Sequence, residues 1–213
     1  MTEPDLAFVG ALVAAGRITD PVLELGGGYG GTTCREVILA SRHRYVATDL
    51  NPAAGVDFIA DFQTGEGVDE VEAAGPFGTV LVLNVLEHTF NPIAVLDNVV
   101  RITAAGGRIV VITPAIWPIH NYPLDCCRLL PDWYRHFAES RRLILEEATF
   151  QYIGIGPVAT YRTTDGQDHF PLPAVLQPVS RFWSRSIHKL FNTFGRGMSY
   201  PSHVAIGVCL VRV

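Results

Sequence analysis

The segment PVLELGGGYGG, residues 21–31, carries the pattern from which the fold of this chain is predicted. Its apolar first half predicts a short buried strand, and residues 31–42 have a helical pattern. The glycines between them let the backbone turn sharply and approach a ligand closely, where a side chain would block it. A strand, a glycine turn and a helix in this order predict a nucleoside-binding site.

The rest of the chain continues this alternation of strands and helices. The uninterrupted apolar run at 79–83 is typical of a central parallel strand that is covered on both faces. Repeated alternation of strands and helices predicts a doubly wound α/β sheet. Further strands are predicted at 44–48, 58–60, 108–113, 143–152 and 203–213, and further helices at 5–17, 91–103 and 131–140.

Length and composition favour one globular domain spanning 1–213, since 48% of the 213 residues are apolar. The net charge of −5 gives no electrostatic support to binding of nucleic acid. The N-terminus lacks a basic region before its apolar stretch, and no apolar run reaches the length of a membrane span. We therefore expect a cytoplasmic protein with no membrane partner. Residues 154–202 show no clear period and predict an inserted lid, a substrate wall or a homodimer surface.

Acidic residues end the second and third predicted strands. Asp49 can accept hydrogen bonds from both hydroxyls of a ribose. The glycine run at 26–31 with Asp49 downstream also satisfies the dinucleotide pattern G-x-G-x-x-G, so an NAD-dependent reductase is a second interpretation. Asp61 adds an acceptor for an adenine amine and Phe62 a ring for its flat face, which favours an adenosyl group over a dinucleotide.

Together, four motifs resemble those of class I S-adenosylmethionine-dependent methyltransferases, and the match runs over residues 22–152. The motifs are Glu24-x-Gly26-x-Gly28-x-Gly30, Asp49, Asp61-Phe62 and NVLEH at 84–88. The resemblance implies S-adenosyl-L-methionine as cofactor and S-adenosyl-L-homocysteine as product. It also implies a seven-stranded, mostly parallel sheet with helices on both faces and an antiparallel last strand. The implied cofactor-binding residues are Glu24, Gly26, Gly27, Gly28, Gly30, Asp49, Leu50, Asp61, Phe62, Asn84 and Val85.

The resemblance also assigns parts of the cofactor to parts of the site. Glu24 and the glycine loop approach its methionine part, and Asp49 approaches the ribose. Asp61-Phe62 lies at the adenine. Asn84-Val85 lines the floor near the sulfonium.

His88 is the first candidate for a catalytic base. It follows the fourth strand, where open α/β sheets place their ligand crevice, and imidazole titrates near neutral pH. The alternative is a histidine that packs or caps the loop. Glu87 beside it is expected to face a structural partner.

The segment WPIHNYPLDCCRLLP, residues 117–131, follows the fifth strand, where an acceptor is expected. It resembles the stretch His-x-Tyr-Pro-x-Asp-x-x-Arg-x-x-Pro of some bacterial methyltransferases that act on glycans or small metabolites. His120, Tyr122 and Asp125 are therefore further catalytic candidates, and aromatic faces beside polar groups suit a sugar. The alternative is an ion pair between Asp125 and Arg128 that pins the loop, with the other side chains merely packed.

These observations predict an enzyme that methylates a hydroxyl of a small acceptor such as a saccharide, for instance a mannoside or another glycan precursor. The alternatives are methylation of nitrogen or carbon of a small metabolite, the NAD-dependent reductase, and a non-catalytic adenosyl-binding protein. A divalent metal is compatible with the histidines and carboxylates, but no spacing specifies one.

Overall fold

The computed structural model describes residues 1–28, 33–117, 119–120, 124–155, 186 and 203–213. Gly30, Tyr122 and most of the predicted insertion 154–202 lie outside the described residues. The helices are α1 (Glu3–Ala14), α2 (Arg35–Ala40), α3 (Val68–Ala74), α4 (Pro92–Ile102) and α5 (Pro131–Arg141). The strands are β1 (Val22–Leu25), β2 (Tyr45–Asp49), β3 (Phe58–Ile59), β4 (Phe77–Leu83), β5 (Thr103–Ile116), β6 (Ile144–Leu145), β7 (Gln151–Ile155) and β8 (His203–Val211).

The strands form one mixed sheet in the order β3-β2-β1-β4-β5-β8-β6, and β7 also pairs with β8. All pairings among β1 to β5 are parallel, whereas β8 runs antiparallel to β5, β6 and β7. The strand order reverses at β1, which has β2 on one side and β4 on the other. Open α/β sheets bind ligands outside the carboxyl ends of the strands at such a point. The predicted doubly wound, mostly parallel sheet with an antiparallel last strand is confirmed.

Side chains of the central strand β4 alternate between two hydrophobic cores. Val80 and Val82 pack in the core that includes side chains of α3, α4 and α5. Leu81 and Leu83 pack in the core that includes side chains of α1 and α2. Because helices cover both faces, every residue of β4 is buried and its sequence needs no polar alternation.

The strand predicted over 143–152 is divided. A 3₁₀ turn at Glu147–Thr149 separates β6 from β7, and both segments pair with β8. The turn is stabilised because the hydroxyl oxygen of Thr149 accepts the amide of Cys209 at 3.1 Å, in place of a strand carbonyl. The sheet of the described chain therefore has eight strand segments instead of seven, with β6 and β7 sharing one position beside β8.

Other elements also differ from the sequence prediction, and α1 ends at Ala14 rather than at residue 17. The helix α3 was not predicted, because it buries only Val68 and Val71 and so shows no helical period. The strand β5 begins at Thr103 rather than at residue 108, since Thr103 already pairs with Phe77 of β4.

Gly67, the residue before α3, has a φ of +75°, and a Cβ there would meet the carbonyl oxygen of Ile59. We expect Gly67→Ala to lower the free energy of unfolding by about 2–4 kcal/mol, through the left-handed backbone and the close contact. Gly10→Ala, inside α1 with open space around it, should instead raise it by about 0.5–1 kcal/mol. Urea denaturation measures both variants, and a harmless Gly67→Ala would contradict the prediction.

Candidate functional site

Polar side chains collect at the carboxyl edge of the sheet, beside the point where the strand order reverses. Glu24 lies in β1, Asp49 ends β2, and Asn84 directly follows β4. Because these three parallel strands are neighbours, their ends lie at one edge. The structure thus brings together residues that are far apart in sequence and that were expected to surround one cofactor.

Glu24 connects the two sides of the glycine loop. Its carboxylate accepts the hydroxyl of Tyr45 at 2.6 Å and the amide of Cys34, just before α2, at 3.1 Å. Burial raises the pKa of Glu24, and the hydrogen bonds from Tyr45 and Cys34 partly oppose this effect. Glu24 is only 3% exposed, so it fixes the strand and the start of the helix between which the loop runs.

Each described position of the loop requires glycine for a different structural reason. Gly26 has a φ of +73°, which strongly favours glycine. A Cβ on Gly27 would lie 2.9 Å from atoms of Tyr45 and Ala47, and a Cβ on Gly28 would meet Val56. The loop therefore lies directly on β2 and the segment after it, leaving a backbone surface from which side chains are excluded.

Asp49 lies at the base of this surface and is 7% exposed. Its Oδ2 accepts the amide of Gly28 at 3.2 Å, and its Oδ1 accepts the amide of Asn51 at 3.1 Å. An ionised carboxylate has about four acceptor positions, so two are left for a ligand with hydroxyl donors. Leu50 beside it is 58% exposed and adds an apolar surface at the same edge.

Asp61 and Phe62 follow β3 and have different environments. Asp61 is half-buried, and its Oδ1 accepts the amides of Gln63 at 2.8 Å and of Thr64 at 3.4 Å. Phe62 is 5% exposed and packs in the hydrophobic core. A ligand at this edge therefore has easier access to Asp61 than to the ring of Phe62.

Asn84 and Val85 form the floor after β4. Asn84 has a φ of +54°, and its side-chain amide donates to Asp5 of α1 at 3.1 Å. Asp5 is 2% exposed and was not identified from the sequence; the signal for it was the capping box that it forms with Thr2. Val85 lies close to Gly26, 3.5 Å from the position of a Cβ there. The start of α1 thus orients the floor beneath the glycine loop.

Glu87 lies in surroundings that its sequence pattern does not reveal. It was expected to face a structural partner, but neither of its carboxylate oxygens has a hydrogen-bond partner among the described residues. Its side chain is 1% exposed, and burial raises its pKa to about 8. An acidic side chain in this condition is rare in a protein core, which makes Glu87 a candidate functional residue.

Two loops bring His88 and His120 together, with ring centroids 5.0 Å apart. Nδ1 of His88 pairs with the carbonyl of Leu124. Because a carbonyl only accepts, Nδ1 donates and Nε2 keeps its lone pair. Burial lowers the pKa of His88, so its ring is neutral at neutral pH. The ring of Trp117 lies 6.4 Å from that of His120 and adds an aromatic surface.

The ion pair between Asp125 and Arg128 pins the loop that carries His120. Arg128 donates to both carboxylate oxygens, with Nη2 2.7 Å from Oδ2, and this guanidinium holds the pKa of Asp125 well below its usual range. Asp125 Oδ2 also accepts the amide of His120 at 2.9 Å and lies 3.4 Å from its Nδ1. The amide of Cys126 donates to the carbonyl of Glu87 at 2.7 Å. The ion pair that was the alternative to a catalytic Asp125 is therefore present, and it also positions His120.

A doubly wound sheet with a glycine loop after β1, an acid after β2 and an antiparallel last strand is the architecture of class I methyltransferases. A family model described as a methyltransferase domain matches residues 7–195. The chain belongs to this methyltransferase family, which confirms the membership predicted from the motifs.

Solved structures agree with this assignment at the level of fold. A SAM-dependent methyltransferase from Archaeoglobus fulgidus has a TM-score of 0.52 at 14% identity, over 97% of this chain and 94% of that chain. The 1,6-didemethyltoxoflavin-N1-methyltransferase of Burkholderia thailandensis, with bound S-adenosylhomocysteine, has a TM-score of 0.57 at 11% identity, over 99% and 80%. The N-methyltransferase NodS of Bradyrhizobium japonicum, in complex with S-adenosyl-l-homocysteine, has a TM-score of 0.52 at 10% identity, over 98% and 85%.

None of the helices in the described part of the chain is long and apolar enough to cross a bilayer.

Proposed function

We propose that this chain transfers the methyl group of S-adenosylmethionine to a hydroxyl of a small acceptor such as a saccharide. The observation that carries the methyl-donor part of the proposal is the position of Asp49. It is buried at the end of β2, is bound to the glycine loop through Gly28, and keeps acceptor positions for two hydroxyl donors. Such an acid at the reversal point of the strand order is suited to a ribose.

The same edge supplies the rest of the proposed cofactor site. Glu24 sets the glycine loop, whose exposed backbone would lie along the methionine part of the donor. Leu50 and Asp61 would contact the adenosine, with a smaller contribution from the buried Phe62. The floor formed by Asn84-Val85 would lie below the sulfonium.

In the proposed reaction, the acceptor oxygen forms a bond to the methyl carbon while the bond between that carbon and sulfur breaks. The sulfur keeps the electron pair, which gives S-adenosylhomocysteine, and the hydroxyl proton leaves to a base. Because a sulfonium is a good leaving group, alignment of the acceptor is the main task of the protein. We assign contact with the reacting hydroxyl to His88, whose neutral ring keeps a lone pair on Nε2.

The acceptor would lie between this histidine and the loop after β5. His120 and Trp117 contribute aromatic surface there, and Asp125 holds the loop in place. Alternating apolar faces and polar groups match a sugar ring, which has both. Tyr122 is proposed for the same surface from its place in the sequence alone.

Transfer to nitrogen is a second candidate, because two of the similar structures are N-methyltransferases by name. A panel of sugars, other hydroxylated compounds and amines, incubated with an isotope-labelled methyl donor, separates the two. Nuclear magnetic resonance of the product identifies the atom that carries the methyl group. A product methylated only on nitrogen would replace the hydroxyl proposal.

Thermal unfolding in the presence of adenosyl compounds tests the cofactor. Ligand at about 100 times its dissociation constant stabilises a protein by about 2.7 kcal/mol, so S-adenosylmethionine and S-adenosylhomocysteine should both raise the Tm clearly. NAD(H) at the same concentration is the control and should leave the Tm unchanged. A shift with NAD(H) alone would overturn the proposed function and favour a reductase.

A further inference from the structure

We propose that Glu87, His88 and His120 form a binding site for one divalent ion of the first transition series. Each residue offers one ligand atom, and these atoms lie within 4.8 Å of one another. Ligand atoms about 2.0–2.2 Å from a shared ion are themselves roughly 3–4 Å apart. Small side-chain rotations are therefore enough to close the three groups around an ion.

The closest pair already has such a spacing. Nε2 of His88 lies 3.6 Å from Oε1 of Glu87, which is too long for a hydrogen bond. This distance of 3.6 Å matches the separation of two ligand atoms that bind one ion. The third ligand comes from a different loop, and the edge-to-face contact of the imidazoles brings its ring against His88.

Both histidines have the surroundings of metal ligands. Metal-binding histidines usually donate their other ring nitrogen to a carbonyl or a carboxylate, which fixes the tautomer. Nδ1 of His88 pairs with the carbonyl of Leu124, and Nδ1 of His120 lies 3.4 Å from Oδ2 of Asp125. Nε2 of each ring is then the nitrogen that can bind the ion.

Glu87 supplies an independent argument. Its side chain is 1% exposed, and among the described residues both of its oxygens are without a hydrogen-bond partner. A buried carboxylate in this state is costly for the fold. A bound cation would satisfy the oxygen that faces His88, and it would explain why an acid is placed there.

The ligand set decides which ion is suited to the site. Two imidazole nitrogens and one carboxylate are typical of zinc, iron, cobalt, nickel and copper sites, with open positions for other ligands. Magnesium and calcium prefer oxygen ligands throughout. We therefore expect zinc(II) or a neighbouring transition ion to bind, and magnesium to bind poorly.

The proposed ion site also gives His88 a more specific role in the reaction. A divalent ion lowers the pKa of a bound hydroxyl group, so an acceptor hydroxyl on an open position would lose its proton more easily. His88 would then act as a ligand of the ion, and the proton of the hydroxyl would pass to solvent water instead of to His88. This role rests on the proposed function, whereas binding of the ion does not.

Titration of untagged, metal-free protein with cobalt(II), followed by visible absorption, tests the site without cofactor or acceptor. We expect one equivalent to bind, zinc(II) to displace it, and excess magnesium to leave it in place. Glu87→Gln and His120→Asn should each weaken binding by at least about 10–100-fold, the effect of losing only a supporting residue. His136→Asn is the matched control, because His136 is 83% exposed. Like the histidines of the proposed site it lies near a carboxylate, with its Nδ1 3.9 Å from Oε2 of Glu139.

The outcomes separate the ion site from the cofactor site. If cobalt(II) does not bind, or binds equally to parent and His120→Asn, the ion site is wrong. Binding of S-adenosylhomocysteine to the same samples, measured by calorimetry, shows that each variant is folded and tests the cofactor separately. Should Glu87→Gln not fold, His120→Asn still decides, since its side chain is 34% exposed.

Discussion

Asp49→Ala is expected to weaken binding of S-adenosylhomocysteine by about 10²–10³-fold. A hydrogen bond to a charged group contributes about 1.5–3 kcal/mol, and the proposed carboxylate makes two to the ribose. Two such bonds, discounted for partial replacement by water, correspond to this loss. The side chain also accepts the amide of Gly28, so its removal loosens the glycine loop as well. Isothermal titration calorimetry measures the affinity.

Two further variants separate ribose binding from general damage. Asp49→Asn keeps one oxygen acceptor and should lie between the parent and Asp49→Ala in affinity. Asp69→Ala removes an acid that is 91% exposed on α3 and pairs with Arg101; surface ion pairs of this kind contribute little. Its affinity should equal that of the parent. An Asp49→Ala variant that binds as tightly as Asp69→Ala would show that the carboxylate does not hold the ribose.

The carboxyl edge proposed for the cofactor could be predicted from the sequence because the sequence signals for it are local. An apolar run, a glycine turn and an acid at a strand end are each read within a few residues. Parallel strands then bring these ends to one edge without further information. This is why Glu24, Asp49 and Asn84 could be assigned to one region although they come from three separate strands.

The proposed acceptor side is built from contacts between residues that are distant in sequence, and no local sequence pattern predicts such contacts. Glu87 is buried, and the loop that carries Cys126 packs against it, since the amide of Cys126 binds the Glu87 carbonyl. The approach of His120 to His88 requires the loop after β5 to fold back on the turn after β4. Both residue types are visible in the sequence, but no local pattern shows this contact between them. The helix α3 escaped prediction for another reason, since it buries only Val68 and Val71 and has no helical period.

The turn Leu86–His88 joins the two halves of the site. On one side, Asn84-Val85 continues the floor below the glycine loop, held by Asp5. On the other side, Glu87 and His88 face the loop with His120. Only a few residues thus separate the proposed place of the donor from that of the acceptor, and in this proposal one short, well-packed segment aligns them.

His88→Ala is expected to lower kcat for a hydroxyl acceptor by about 10²–10⁴-fold, the range found when a group that assists proton transfer is removed. The expectation holds whether His88 takes the proton itself or binds the ion that acidifies the hydroxyl. Affinity for S-adenosylhomocysteine should stay at the parent value, because the described side-chain contacts of His88 are with Glu87, Leu124 and His120 on the proposed acceptor side. Steady-state kinetics with the best acceptor from the panel measures the effect.

His136→Ala is the control for this variant. It also removes a histidine, but one whose side chain is 83% exposed on α5. It should keep the parent kcat. If kcat of His88→Ala at saturating acceptor equals that of the parent, His88 has no part in removing the proton and only packs the loop. Rescue of His88→Ala by added imidazole would support direct transfer to the ring, whereas loss of cobalt(II) binding in the same variant would support its role as a ligand.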